Sequence, residues 1–357
     1  MLGSLRQDLR ILLTAGLILA GLSFAIGYVT DTPLTIVNVQ PTFLEERRLA
    51  PKTQHTKNRI LKEYTFQRMV IIDSTRIAKP IIMRADITDN IYILDWADLR
   101  IKLFSPTGSL LNIFGEVKGS PLSRLLNPTG FSVGLNGELW VCDPPQRRII
   151  QITPKGTVAQ TLIPKSAVDR ITVVGDTLIT MAPPGAKFLF ELYSLSGRFL
   201  KSFGEFIEDQ PEYGIVLDGE LVGDNQAQQF IYGGRYTGIL AGYSLDGEQR
   251  FIARTIKTAS LPKVLIIDGR KKVEPSSTIA ILSMNIVDDR LYVLSGSSMR
   301  AVEKGQGQIV DVYNKFNGTY LFSFQLPVAC RQAIIRSDRV YTLTESEVTV
   351  WRFEPKT

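Results

Sequence analysis

From about Tyr64 onward the chain alternates large apolar residues with polar or small ones over four to six positions, and helical spacing is hardly seen. Such period-two alternation, rich in β-branched and aromatic residues, is strand chemistry, because successive side chains of an extended chain point to opposite faces. The clearest runs are NIYILD (Asn90 to Asp95), ELWVCD (Glu138 to Asp143), TLITMA (Thr177 to Ala182), QFIYGG (Gln229 to Gly234), RLYVLS (Arg290 to Ser295) and RVYTLT (Arg339 to Thr344). A second pattern is in phase with them. After most of these runs comes another apolar strand and then a turn ending in glycine: SPTG (Ser105 to Gly108), TPKG (Thr153 to Gly156), SLSG (Ser194 to Gly197), SLDG (Ser244 to Gly247) and NKFNG (Asn314 to Gly318). Glycine supplies the positive φ that tight hairpins need. A further strand follows each turn, and an inner strand such as GFSVGL (Gly130 to Leu135) precedes each unit.

The repeating unit is therefore a four-stranded antiparallel sheet with variable loops. About 290 residues divided among six units gives roughly 48 per unit, within the range of propeller blades. The last unit ends at RVYTLTESEVTVWRF and lacks an outer strand, whereas EYTFQRMVII (Glu63 to Ile72) precedes the first complete unit. That strand predicts a ring closed by pairing the start of the chain with its end, which removes free sheet edges. An open pair of β-sandwiches would have no use for it. The expected fold is all-β, a six-bladed propeller over residues 63–357.

The stretch from Ile91 to Asp143 carries Asp95 after a strand, Arg100-Ile101 opening the next, Gly108 in the turn, Phe114-Gly115, and Asn127-Pro128-Thr129-Gly130 before the next inner strand. In these features it resembles tandem NHL repeats. The match is strongest in the first two units and weakest in the fourth and fifth, and the fifth departs most, since Gly296 to Gln308 replaces a short connection there. The resemblance implies a six-bladed propeller of the kind found on exported bacterial proteins. It implies no activity, since the group includes scaffolds, receptors and enzymes.

The start of the chain predicts where that domain resides. Ile11 to Val29 is an uninterrupted uncharged run of 19 residues behind a short basic segment, residues 1–10, with Arg6 and Arg10. As a helix it would span roughly 28 Å, close to the hydrocarbon thickness of a bilayer. Positive residues before the run, with Asp31 before the next basic residue, Arg47, place the N-terminus in the cytoplasm and the propeller on the extracytoplasmic, periplasmic side. Residues 11–29 are expected to be a signal anchor, or a signal peptide if cleaved, which would leave a secreted protein. Residues 30–62, with Pro33, Pro41 and Pro51, read as a semi-extended tether.

Composition removes several chemistries. The single histidine, His55, lies in a polar stretch, so multi-histidine zinc sites, serine-histidine triads and propeller lyases that employ several histidines have little to be built from. Cys142 and Cys330 are far apart and belong to no CxxC motif, and they read as two buried thiols. A formal charge of +6 without a long basic block gives no support to nucleic-acid binding.

What remains is the loop face. Connections between second and third strands, and from each outer strand to the next inner strand, converge on one side of a propeller. That face is expected to gather Trp96, Arg147, Lys187, Arg235, Tyr236 and Arg300 as tentative ligand-binding residues. Guanidinium groups can hold carboxylates bidentately and flat aromatic rings give rigid contacts, a set suited to an acidic peptide, glycan or protein partner. The bland alternative is that these are solvated rim charges. The expected function is a membrane-tethered binding module with no cofactor and no catalysis of its own. The enzymatic alternative is a divalent-metal hydrolase resembling lactonase propellers, with Ca²⁺ held by Asp95, Asn127, Asp143 and Asn285. Asp95 and Asp143 occupy equivalent positions, so a repeated turn role is the competing account of both.

Overall fold

The computed structural model describes residues 54, 56–115, 124–183, 186–206, 211–257, 261–267, 270–296 and 307–356, together with the backbone of Thr35–Val37. The membrane segment expected over residues 11–29 lies outside them, as do His55 and Arg300. Among the described residues no helix is long and apolar enough to cross a membrane.

The chain divides into two compact units. One contains a three-stranded antiparallel sheet in the order Thr35–Val37, Val264–Ile267, Arg270–Val273. Its hairpin falls, in sequence, between the fourth and fifth blades, and Arg270, Lys271 and Lys272 on it are exposed.

The other unit is a six-bladed β-propeller of four-stranded antiparallel sheets. Blade 1 comprises Pro80–Ala85, Ile91–Asp95, Arg100–Phe104 and Leu110–Phe114; blade 2, Gly130–Val133, Leu139–Asp143, Arg148–Ile152 and Val158–Leu162. Blade 3 comprises Arg170–Val174, Thr177–Met181, Phe190–Ser194 and Phe199–Phe203; blade 4, Gly219–Asp224, Gln229–Gly234, Ile239–Ser244 and Gln249–Arg254. Blade 5 comprises Ile281–Val287, Arg290–Ser295, Gly307–Asn314 and Tyr320–Cys330. Gln332–Ile335, Arg339–Leu343 and Val348–Pro355 begin blade 6, and Tyr64–Ile72 completes it by pairing along Val348–Pro355 from Tyr64 opposite Pro355 to Ile72 opposite Val348. The six alternating runs of the sequence are the six second strands. The five glycine turns join third to outer strands, each glycine having a φ between 67° and 86°.

The core lies between neighbouring sheets, because each sheet buries both faces against the next blade. Trp140 and Cys142 of blade 2 pack with Ile171, Leu178 and Tyr193 of blade 3. Phe190 of blade 3 meets Phe230, Tyr232 and Tyr243 of blade 4 at centroid separations of 5.3, 5.6 and 5.4 Å, which fill the wedge between those blades with rings. Tyr92, Trp140, Tyr292 and Tyr341, equivalent in sequence, are all buried. Phe104, at the end of the third strand of blade 1, is fully buried as well. Both cysteines are buried and free; burial pushes the Cys142 thiol well above its usual range and that of Cys330 up to about 12.

Inner strands of adjacent blades belong to separate sheets, and side chains stitch several of them together. Gln332 of blade 6 accepts the Met83 amide of blade 1 at 2.7 Å and donates to the Met83 carbonyl at 2.9 Å. Asn285 of blade 5 makes the same two-way clasp on Ile335 of blade 6, at 2.8 and 3.0 Å. Ser132 of blade 2 accepts the Val173 amide of blade 3 at 3.2 Å. Blades 3 and 4 come so close that a Cβ on Gly223 would lie 2.6 Å from Val174 and 2.8 Å from the Thr172 hydroxyl, so this inner strand needs glycine there.

The described end of the expected tether runs along the outer strand of blade 5. Ile60 accepts the Ser323 amide at 2.7 Å, and the Lys62 amide donates to Ser323 at 2.8 Å, a parallel bridge centred on Leu61. Arg59 pairs at 3.1 Å with fully buried Asp311, and Gln54 donates to the carbonyls of Arg254 and Gly318.

Candidate functional site

The connections between second and third strands place Trp96, Arg147, Lys187, Arg235 and Tyr236 on blades 1 to 4, on one face of the propeller. Trp96 is half-buried, its amide bonded to the Lys79 carbonyl at 2.9 Å. Arg147 follows the short turn Pro144–Gln146 with a φ of 49°, a left-handed conformation in which its amide donates to the Pro144 carbonyl at 2.8 Å. It is exposed, and its guanidinium has no acceptor among the described residues. Lys187 is 76% exposed and only 3.5 Å from Glu205, a surface pair of little energetic weight.

Arg235 differs from the other two cations. It pairs with Asp218 at 2.8 Å and Glu220 at 3.0 Å, while Asp218 lies 3.5 Å from Arg170, itself 2.7 Å from Asp169. Burial works against the charge on Arg235, yet Asp218 and Glu220 outweigh it and raise its pKa. Burial likewise pushes Asp169 up, more than Arg170 pulls it down. Burial also raises the Tyr236 phenol, helped by Asp218. Arg235 is thus committed to two carboxylates of blade 4, one of which, Asp218, also reaches Arg170 of blade 3.

The four candidate oxygen ligands are distributed around the ring. Asp95 stands on blade 1, Asp143 on blade 2 and Asn285 on blade 5, and only Asn127 and Asp143 touch, through a hydrogen bond of 3.0 Å from the Asn127 backbone amide to the Asp143 carboxylate. Asp95 accepts amides from Ala78 and Lys79, both at 2.8 Å, and pairs with Lys102 at 2.7 Å. Asp143 does the same on the next blade, with the amides of Leu126 and Asn127 and the guanidinium of Arg148 at 3.2 Å. Both carboxylates tie the chain entering a blade to its second and third strands. The side chain of Asn285 is occupied by Ile335, whereas Asn127 Oδ1 is buried without a partner. Among the described residues there is no group of three or more His, Cys, Asp or Glu placed to hold a metal.

A cavity of about 190 Å³ lies in the central channel. Its wall is formed largely by the later residues of the inner strands, among them Arg84, Val133, Gly223 and Asn285, and by Asn225 and Arg336 just beyond strand ends. It lies therefore toward the face opposite the second-to-third loops. Arg84 donates to the carbonyl of Met83 at 3.0 Å, and its guanidinium carbon is 5.9 Å from the Phe131 ring centroid. Burial lowers its pKa, with Glu220 opposing and Arg170 adding to the effect. Sequence patterning passed over this residue; the signal available was an arginine inside the apolar run PIIMRA.

No family model and no curated protein matches the chain. Solved structures do. A member of the DUF4221 family from Bacteroides vulgatus superposes with a TM-score of 0.58 at 12% identity, covering 84% of this chain and 100% of its own. An exported protein, so described by inference, from Bacteroides fragilis gives 0.53 at 11% identity, covering 87% and 100%. Virginiamycin B lyase from Staphylococcus aureus gives 0.51 at 10% identity, covering 81% and 99%. These likenesses show the fold. At such identities they carry no activity to this chain.

Proposed function

We propose that the protein is an extracytoplasmic, membrane-tethered propeller, akin to the NHL-like group, that binds a protein, peptide or glycan partner through the loop face of blades 1 to 3. One observation carries this reading: Arg147 projects from a left-handed turn, exposed and without an acceptor among the described residues, between Trp96 and Lys187 on the flanking blades. An aromatic ring and two exposed cations, one of them only weakly paired, on neighbouring blades of one face make a surface suited to an acidic partner. Export and the anchor rest on the uncharged run Ile11 to Val29 and the positive residues before it. Catalysis is not part of this reading.

The test is a crosslinked pull-down of the membrane-extracted full chain. A partner captured at fixed stoichiometry, weakened about tenfold by Arg147→Glu and indifferent to EDTA, is expected. Capture unchanged by Arg147→Glu overturns the loop-face assignment. Activity lost on chelation, with calcium found by elemental analysis, selects the metal-dependent hydrolase instead.

A further inference from the structure

From the chemistry of the channel wall we infer that the cavity is a binding site for a small oxyanion, a carboxylate or phosphate, gripped by Arg84. Among the described residues only two charged side chains line it, Arg84 and Arg336, and neither Asp nor Glu does. Arg336 is committed to Asp89 at 3.3 Å and to the carbonyls of Ala85 and Asp86 at 2.9 and 3.0 Å. Arg84 has only the carbonyl of its neighbour Met83, through one nitrogen, and no carboxylate within 4 Å among the described residues. Glu220, which acts on it through space, is held by Arg235.

The neutral polar groups around Arg84 also have hydrogens to give. The Ser132 oxygen accepts from Val173, which leaves its hydroxyl proton unused. The Asn225 oxygen accepts from Gly175 at 2.7 Å, so its amide nitrogen remains a donor. Gln332 and Asn285 are consumed by the inner-strand clasps. The unspent capacity of the chamber is thus a partly dehydrated guanidinium with donors beside it. A planar fork of this kind matches carboxylate or phosphate oxygens, and a cation with little water around it gains from an anion. Size narrows the class further. At ~30 Å³ per water, about 190 Å³ holds roughly six waters, enough for inorganic phosphate or a short carboxylic acid and too little for a polymer. The site lies toward the other end of the channel from the loop face, so it stands or falls independently of the partner reading.

The full-length chain in detergent is titrated calorimetrically with sodium phosphate and, separately, with sodium succinate at constant ionic strength, with chloride as reference. One-to-one saturable binding of at least one of the two is expected, and the arm that responds distinguishes phosphate from carboxylate. Arg84→Gln should weaken binding about tenfold or more. Asn225→Asp should do the same by placing negative charge at the mouth while keeping the acceptor for Gly175. Arg147→Glu should leave it unchanged. Absence of binding beyond chloride up to tens of millimolar overturns the inference, as does wild-type affinity in Asn225→Asp, which decides alone if Arg84→Gln does not fold.

Discussion

Asp95 and Asp143 show how one carboxylate can organise a blade. Each sits fully buried at the end of a second strand and gathers backbone amides of the incoming chain and a cation from the third strand. Burial alone would raise the Asp95 pKa, but the hydrogen bond from Lys102 and the amides of Ala78, Lys79 and Ala97 outweigh it and hold the carboxyl below its usual value. A depressed folded pKa means stability that is present above the ordinary aspartate value of about 3.9 and lost as the pH falls through the lower folded value. Asp95→Asn should therefore cost about 2 kcal/mol at neutral pH. Denaturant midpoints followed down the pH scale should show the gap between wild type and variant closing below that ordinary value; a gap constant to low pH would mean that the charge is irrelevant.

At the scale of elements, the second strands and the glycine turns were legible because both signals are local: alternation within five or six residues, and one residue of positive φ. The closing strand was legible too, since EYTFQRMVII is a well-formed strand with no neighbour of its own to pair with. Gln54 to Lys62 was not. This segment has no period, and its hydrogen bonds reach Ser323 and Tyr320, about 260 positions away. It lies at the end of the stretch expected as a tether, and its described residues strap onto blade 5. Its main polar anchor is Arg59 on Asp311, a carboxylate that also receives the hydroxyls of Ser295 and Ser323. Because those two bonds remain, and Arg59 is partly exposed, Arg59→Ala should cost about 1–3 kcal/mol, less than the loss of a fully buried pair. Limited proteolysis should then cut before Tyr64 while the blades stay intact; protection equal to wild type would place the anchor elsewhere in the strap.

For the whole molecule, the sequence predicted a ring and one of its faces but not its channel. Arg84, Gln332 and Asn285 acquire their roles only when six inner strands converge, and nothing within one repeat announces that convergence. Gln332 is the plainest case, a glutamine whose whole polar end serves Met83 on the neighbouring blade. Gln332→Leu leaves a buried amide and carbonyl without partners and should lower stability by about 1–3 kcal/mol. Hydrogen exchange should show the loss concentrated at the seam between blades 6 and 1; uniform loosening of all six blades would mean that the ring resists opening at any one joint.

The closing pair inside blade 6 joins two strands far apart in the polypeptide. Tyr64–Ile72 is made well before its partner Val348–Pro355, which follows it in the chain. At ~5–20 residues per second the early strand waits roughly a quarter of a minute to a minute for its mate. Throughout that interval it is an orphan sheet edge, the kind of surface that recruits other chains. A product halted before Val348 can never complete its circle, so arrival of Val348–Pro355 is the event that separates a closed ring from a sticky fragment.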